Sequence, residues 1–174
     1  MVNKELKNAV IRKMKINIDT ITRASKELIG NIIRTPTIRS QHLSSEINGE
    51  VFLKLENLQY TSSFKVRGAY TSITRLKEEQ KKMGVIAMSA GNHAQAVAWW
   101  AKKERVNATI VMPEHAPLFK VMKTKSLGAD VILRGRTLNE SQTYVSELAN
   151  DKKLTLIHPY DDSNVVIGQG TLGL

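Results

Sequence analysis

The chain has no cysteine, so disulfides, thiolate metal sites and cysteine nucleophiles are excluded at the outset. It is also poor in aromatics, at 5% of residues. Base-stacking platforms of the kind single-stranded nucleic-acid binders use are therefore not expected. Long apolar runs are missing as well. The longest is "AVAWWA" at residues 96–101, far short of the roughly 20 residues that a membrane-spanning helix requires. The opening "MVNKELKNAVIRKMK" is charged throughout and offers no apolar stretch of the signal-peptide type. No membrane partner is expected, and the cytoplasm is the expected compartment. His42, His115 and His158 stand at no metal-ligand spacing, so no metal site is expected.

The 174 residues, 41% hydrophobic and 24% charged, suffice for one sizeable core and argue against disorder. Lys and Arg number 26 against 16 Asp and Glu, a net charge of +10. That excess is dispersed through helical segments such as "KEEQKK" and "AKKER", with acids interleaved, rather than gathered into a stripe. A nucleic-acid partner is not expected on that pattern.

Hydrophobic periodicity gives the architecture. Ile18, Ile21, Ala24, Leu28 and Ile29 recur at helical spacing, with Asn17 or Asp19 as N-cap and Gly30 as a stop. "RTPTIRS" reads as an extended linker, and "EVFLKLE" alternates like a strand. Thereafter helices over residues 66–76, 90–101, 117–127 and 137–149 alternate with strands "GVIAMSA", "NATIVMP", "DVILRG" and "LTLIH". Such alternation predicts an α/β fold, a mostly parallel sheet with helices on both faces. A G-x-G-x-x-G match at Gly168, Gly170 and Gly173 lacks the following helix and acidic residue of a dinucleotide site. It is read as a turn opening a helix.

In open parallel sheets ligands bind beyond the carboxyl ends of the strands, and two loops there bear chemistry. "YTSSFKVRGAYTSI", beginning at Tyr60, places Lys65 among small hydroxyl residues, after Phe64 and at the start of a helix. Burial against apolar surface would disfavour its charged form and suit it to imine-forming chemistry. On the residues alone, a solvated lysine in a first helical turn is the simpler reading. The second loop, "SAGNH" from Ser89 to His93, leaves a strand directly into a helix. Its amides form a receptor for a carboxylate or phosphate, or else merely a good helix entry.

Together "SSFKVRGA", "SAGNHAQAVA", "MPEHAPLFKVMKTKSLGADVIL" and "HPYDDSNVVIGQGT" resemble the fold-type II pyridoxal-phosphate enzymes, specifically the threonine/serine dehydratases, from roughly Ile29 to Thr171. The first two blocks are shared with serine racemase; the last tilts toward threonine dehydratase. The resemblance implies that Lys65 links covalently to pyridoxal 5'-phosphate, that Phe64 packs on its ring and that Asn92 bonds its ring hydroxyl. Ser89, Ala90, Gly91, Asn92 and His93 would form the loop that receives the substrate carboxylate; for His93, stabilising the helix start is an equal reading. The implied reaction turns L-threonine or L-serine into a 2-oxoacid and ammonia, with Lys65 as the base.

By the same resemblance, residues 1–49 would belong to a large domain, 50–157 would form a small subdomain and 158–174 would begin the return, 29–174 being an incomplete enzyme domain. The cradle for the cofactor phosphate and the partner of the pyridine nitrogen would lie past this sequence. The isolated chain is thus expected to be inactive; the alternative is a non-catalytic fragment that associates with a complementary chain or an intact homologue, and a homo-oligomer is the other assembly open to it. Ser62 stands where the family commonly has glycine, which puts the geometry of that loop in question.

Overall fold

The computed structural model describes residues 16–174; the charged segment at residues 1–15, read above as lacking a signal peptide, lies outside them. Helix α1 (Ile18–Glu27) opens on a reciprocal pair in which Asn17 Oδ1 accepts from Thr20 N and Thr20 Oγ1 accepts from Asn17 N. Two of the helix's otherwise unpaired amides are satisfied this way. Asn17, not Asp19, is the cap. Gly30, at φ +78°, then turns the chain as only glycine does without strain.

The segment read as a linker contains β1 (Thr37–Arg39) and ends on Ser40, the N-cap of the short α2 (Gln41–Glu46) that follows it. Strand β1 pairs antiparallel with β2 (Phe52–Lys54), Ile38 facing Leu53. The alternation of "EVFLKLE" is thus real, but the strand lies in a two-stranded ribbon outside the main sheet. Its side chains are exposed. A 3-10 turn, Glu56–Leu58, leads on to α3 (Lys65–Thr74) and α4 (Glu78–Met83).

The remaining elements are β3 (Val85–Met88), α5 (Asn92–Lys103), β4 (Ala108–Met112), α6 (Leu118–Ser126), β5 (Asp130–Leu133), α7 (Leu138–Asp151), β6 (Thr155–Leu156) and α8 (Ser163–Gly170). Strands β5, β4, β3 and β6 lie side by side in that order, every pair parallel. Successive residues divide between two cores, as pleating requires. Val85, Ala87, Ile110 and Met112 join Ala94, Val97, Ala98 and Ala101 of α5, whereas Ile86 and Val111 meet Val145 of α7. Both faces are covered, as the alternating pattern predicts.

Gly168 and Gly170 lie inside α8 rather than in a turn that opens a helix. The reason is packing. A Cβ on Gly168 would stand 2.5 Å from Arg67 O and 2.7 Å from Gly68 Cα, and one on Gly68 would stand 2.9 Å from Val165 O. Helices α3 and α8 therefore cross backbone to backbone, which only glycine permits. Beside that crossing, buried Arg67 grips Glu56 through Nε and Nη2, each at 2.8 Å, and its Nη1 donates to Thr171 Oγ1. Glu56 also accepts from Thr35 Oγ1 at 2.6 Å. Burial pushes the Glu56 carboxyl up, but the Arg67 and Thr35 hydrogen bonds and the Arg67 and Lys54 charges outweigh it and hold the group below its usual range.

Candidate active site

Lys65 is the first residue of α3, held there by a loop fastened at three points. Gln59 pairs its amide with both backbone groups of Ile33, each at 2.9 Å. Tyr60 stacks on Trp99 at 4.5 Å between ring centroids, with Lys103 Nζ 4.3 Å above Trp99. Ser62 N donates to Gln59 O at 2.7 Å, which draws Ser62 into the left-handed region at φ +54°. That is a conformation glycine takes freely and serine at a cost of roughly 1–2 kcal/mol. The serine is accommodated, its side chain turned to solvent.

From this platform the Lys65 side chain reaches across to β6–α8. Its Nζ donates to Pro159 O at 2.9 Å and lies 5.2 Å from the Phe64 ring centroid. The amine's partner is thus a neutral carbonyl, and desolvation lowers its pKa from the ordinary lysine value. Phe64 is partly exposed, at 37%, presenting an open ring face beside the amine.

The second loop meets the first over the same strip of chain. Ser89 N donates to Val111 O, extending β3's alignment with β4, and Ser89 Oγ accepts from Gly91 N at 3.1 Å. Helix α5 then begins with no side-chain cap, so the amides of Asn92, His93 and Ala94 face no intrahelical acceptor. An anion is favoured at such an end. Asn92 is exposed beside it, and Ser89, Ala90 and Gly91 are half-buried.

His93 differs from its neighbours. It is 3% exposed, and its Nε2 lies 2.9 Å from Ile157 O; a carbonyl only accepts, so Nε2 holds the proton. Burial pushes the imidazole down to about 4; the Ile157 bond works against that shift, and the charges of Lys65 and His158 work with it. Lys65 and His93 thus approach one another over Ile157–Pro159. No sequence signal pointed to those acceptors, because they are backbone carbonyls. His158 Nδ1 accepts from Tyr160 N and Asp161 N, and Asp162 caps α8 through Val165 N, so the following loop is also ordered by its own side chains.

A family model described as pyridoxal-phosphate dependent enzyme matches residues 28–174. The chain belongs to the pyridoxal-phosphate dependent enzymes. Among relatives in this family, L-threonine dehydratase catabolic TdcB of Staphylococcus aureus (strain USA300) is 52% identical over 91% of this chain and 46% of that protein. Among solved structures, the processed form of threonine deaminase isoform 2 from Solanum lycopersicum superposes with a TM-score of 0.81 at 36% identity, covering 94% of this chain and 47% of its own. Maize serine racemase does so with a TM-score of 0.84 at 34% identity, over 90% and 47%. The chain spans about half the length of the relatives it matches.

The residues present fit one side of that family's cofactor. A half-buried amine of lowered pKa lies beside a partly exposed aromatic ring, and the uncapped start of α5 is tied, through His93, to the same strip of chain that the amine reaches. Gly168 and Gly170 offer no phosphate loop, being packed in α8 against α3 and Ile21. Among the described residues, no group of three or more His, Cys, Asp or Glu is placed to hold a metal, and no helix is long and apolar enough to cross a membrane.

Proposed function

We propose that these residues supply the lysine-bearing side of a threonine/serine dehydratase that releases a 2-oxoacid and ammonia. The observation that carries the reading is the desolvated Lys65 amine, bonded to a carbonyl and facing the Phe64 ring. Pyridoxal phosphate, when bound, supplies the sink for the electron pair left as the α-proton departs. Lys65 would hold its aldehyde carbon, and Phe64 and Asn92 would meet its ring and hydroxyl. With cofactor and substrate bound, Lys65 Nζ would take the α-proton; desolvation favours the neutral amine this role needs. Ser89, Ala90, Gly91 and Asn92 receive the substrate carboxylate at the start of α5, and His93 holds that turn through Ile157.

In this reading dehydration belongs to a protein of the relatives' length, and the isolated chain has no turnover of its own. Association with a complementary chain would be needed to complete the site. The likeness to maize serine racemase favours a second reading, inversion at Cα of serine. To test both, the purified chain is incubated with pyridoxal phosphate, reduced with borohydride and peptide-mapped; 2-oxoacid and D-serine are followed in parallel against Lys65→Ala. Label on Lys65 with no turnover is expected. Label only on other lysines refutes the assignment, and D-serine without 2-oxoacid replaces dehydration by racemisation.

A further inference from the structure

We propose that His93 is the positioning residue of Lys65: by holding Ile157 it sets where the Pro159 carbonyl stands, and hence where the lysine amine points. The inference rests on the reading of Lys65 as the pyridoxal lysine.

Three observations converge on it. First, two carbonyls of the same short strip, Ile157 and Pro159, are each taken by a side chain from a different helix: His93 of α5 and Lys65 of α3. Residues 158–162 leave β6 as a loop turned by the Tyr160 and Asp161 amides on His158 Nδ1, so where that turn, and with it Pro159, stands depends on how its start at Ile157 is held. Ile157 N donates to Ile86 O, which ties that residue to the sheet on its other side. His93 therefore closes the last fixed point before the loop departs.

Second, the grip is held at a cost. Nδ1 of His93 is buried and has no hydrogen-bond partner, and an unpaired buried polar atom is unfavourable. A leucine or methionine would fill comparable space without that penalty. Among the contacts the structure shows, the Nε2 bond to Ile157 is what calls for a histidine here. Third, the buried neutral ring introduces no charge next to the amine, which lies close enough for its own charge to act on the imidazole. A basic side chain in the same place would repel a protonated Lys65, and an acidic one would pair with it and draw it away from Pro159.

The bond also outlasts the one it supports. When Lys65 condenses with an aldehyde, its nitrogen loses two hydrogens as water and its donation to Pro159 changes or ends. His93 then remains to keep the strip in register for the amine's return. This separates the two residues' roles: Lys65 reacts, and the hydrogen bond of His93 goes to a backbone carbonyl.

The test uses side chains that place a donor differently. The amide of His93→Gln can present its nitrogen about where the imidazole Nε2 lies, whereas His93→Asn puts a donor near the Nδ1 position, and His93→Leu has none. Each variant is treated with pyridoxal phosphate at neutral pH and the Schiff base, formed with loss of water, is reduced by borohydride. The rate of label gain at Lys65 is measured by peptide mapping, with surface lysines in the same digest as internal controls, and far-ultraviolet circular dichroism recorded alongside. Expected are a roughly tenfold slower rate at Lys65 for His93→Leu and His93→Asn, in line with loss of about one hydrogen bond. His93→Gln should stay within about twofold of wild type, and the surface lysines should not change. Should His93→Leu fail to fold, the contrast between His93→Gln and His93→Asn decides. Equal Lys65 rates in wild type, His93→Gln and His93→Asn overturn the inference while leaving Lys65 as the pyridoxal lysine. No Lys65 label in wild type fells the underlying reading, and this inference with it.

Discussion

Replacing Gly168 by alanine sets two effects of opposite sign against each other. Alanine is the better helix former by about 1 kcal/mol, and Gly168 lies within α8, so propensity alone predicts stabilisation. Against it stands the added methyl, 2.5 Å from Arg67 O, 2.6 Å from Thr71 Oγ1 and 2.7 Å from Gly68 Cα. Two of these are backbone atoms of α3, so no side-chain rotation relieves them, and the helices must part by close to an ångström. Overpacking of this kind costs roughly 1–3 kcal/mol, and the upper end applies because the crossing is rigid. The net expectation is a loss of about 2 kcal/mol. For a domain of this size that lowers Tm by about 4–8 °C, measurable by circular dichroism or urea titration. Gly173→Ala is the control, since no atom lies within 4 Å of the place its added methyl would take, and its effect should stay within about 0.5 kcal/mol. A Gly168→Ala chain as stable as wild type, or more so, would refute the close-crossing argument.

Three further outcomes are expected. Glu56→Gln leaves Arg67 buried without its counter-charge, so unfolding free energy should drop by about 3–5 kcal/mol; a loss below about 1 kcal/mol in urea titration would show that the pair is dispensable. His93 titrates near 4 in the fold against 6.5 for the ordinary residue, so the unfolded chain binds the extra proton and stability is full above pH 6.5 and falls as pH drops toward 4. Relative to His93→Gln, wild type should lose about 2 kcal/mol between pH 7 and pH 4.5, and a pH-independent difference would contradict the buried neutral imidazole. Ser62→Gly removes left-handed strain of roughly 1–2 kcal/mol but adds unfolded-state freedom of about 0.5–1 kcal/mol, so a small net gain in Tm is expected; a lower Tm would mean that the serine side chain does more than tolerate its conformation.

The parallel sheet was legible because pleating sorts its residues cleanly: Val85 and Ala87 face α5 while Ile86 faces α7, and both faces demand apolar residues. Helix α2 was not, since Gln41–Glu46 has no apolar stripe and depends on the Ser40 cap. The β1–β2 ribbon was half legible. Its second strand alternates, but β1 hides behind proline-punctuated polar residues, and its partner lies on the far side of α2. In the site, Lys65 and the Ser89–His93 turn stood out through residue type and position. The acceptors that orient them did not, because Ile157 and Pro159 act through carbonyls that every residue has. The glycines of α8 misled for a related reason: Gly168 serves close approach between helices, which a local pattern cannot distinguish from a turn.

The reach of Arg67 to Thr171 spans 104 positions, and that separation bears on how the protein is made. At a synthesis rate of roughly 5–20 residues per second, α3 emerges about 5–20 s before the residue that completes its buried pairing. During that interval Arg67 and Glu56 can find each other, but the groove that Gly68 leaves for α8 stands open, and Val66, Ala69 and Ile73 lack part of their cover. Non-local closure of this kind is slow and exposes apolar surface while it waits. A nascent chain of this fold therefore carries the apolar face of α3 uncovered until α8 arrives, and any pause in synthesis before residue 171 lengthens that exposure.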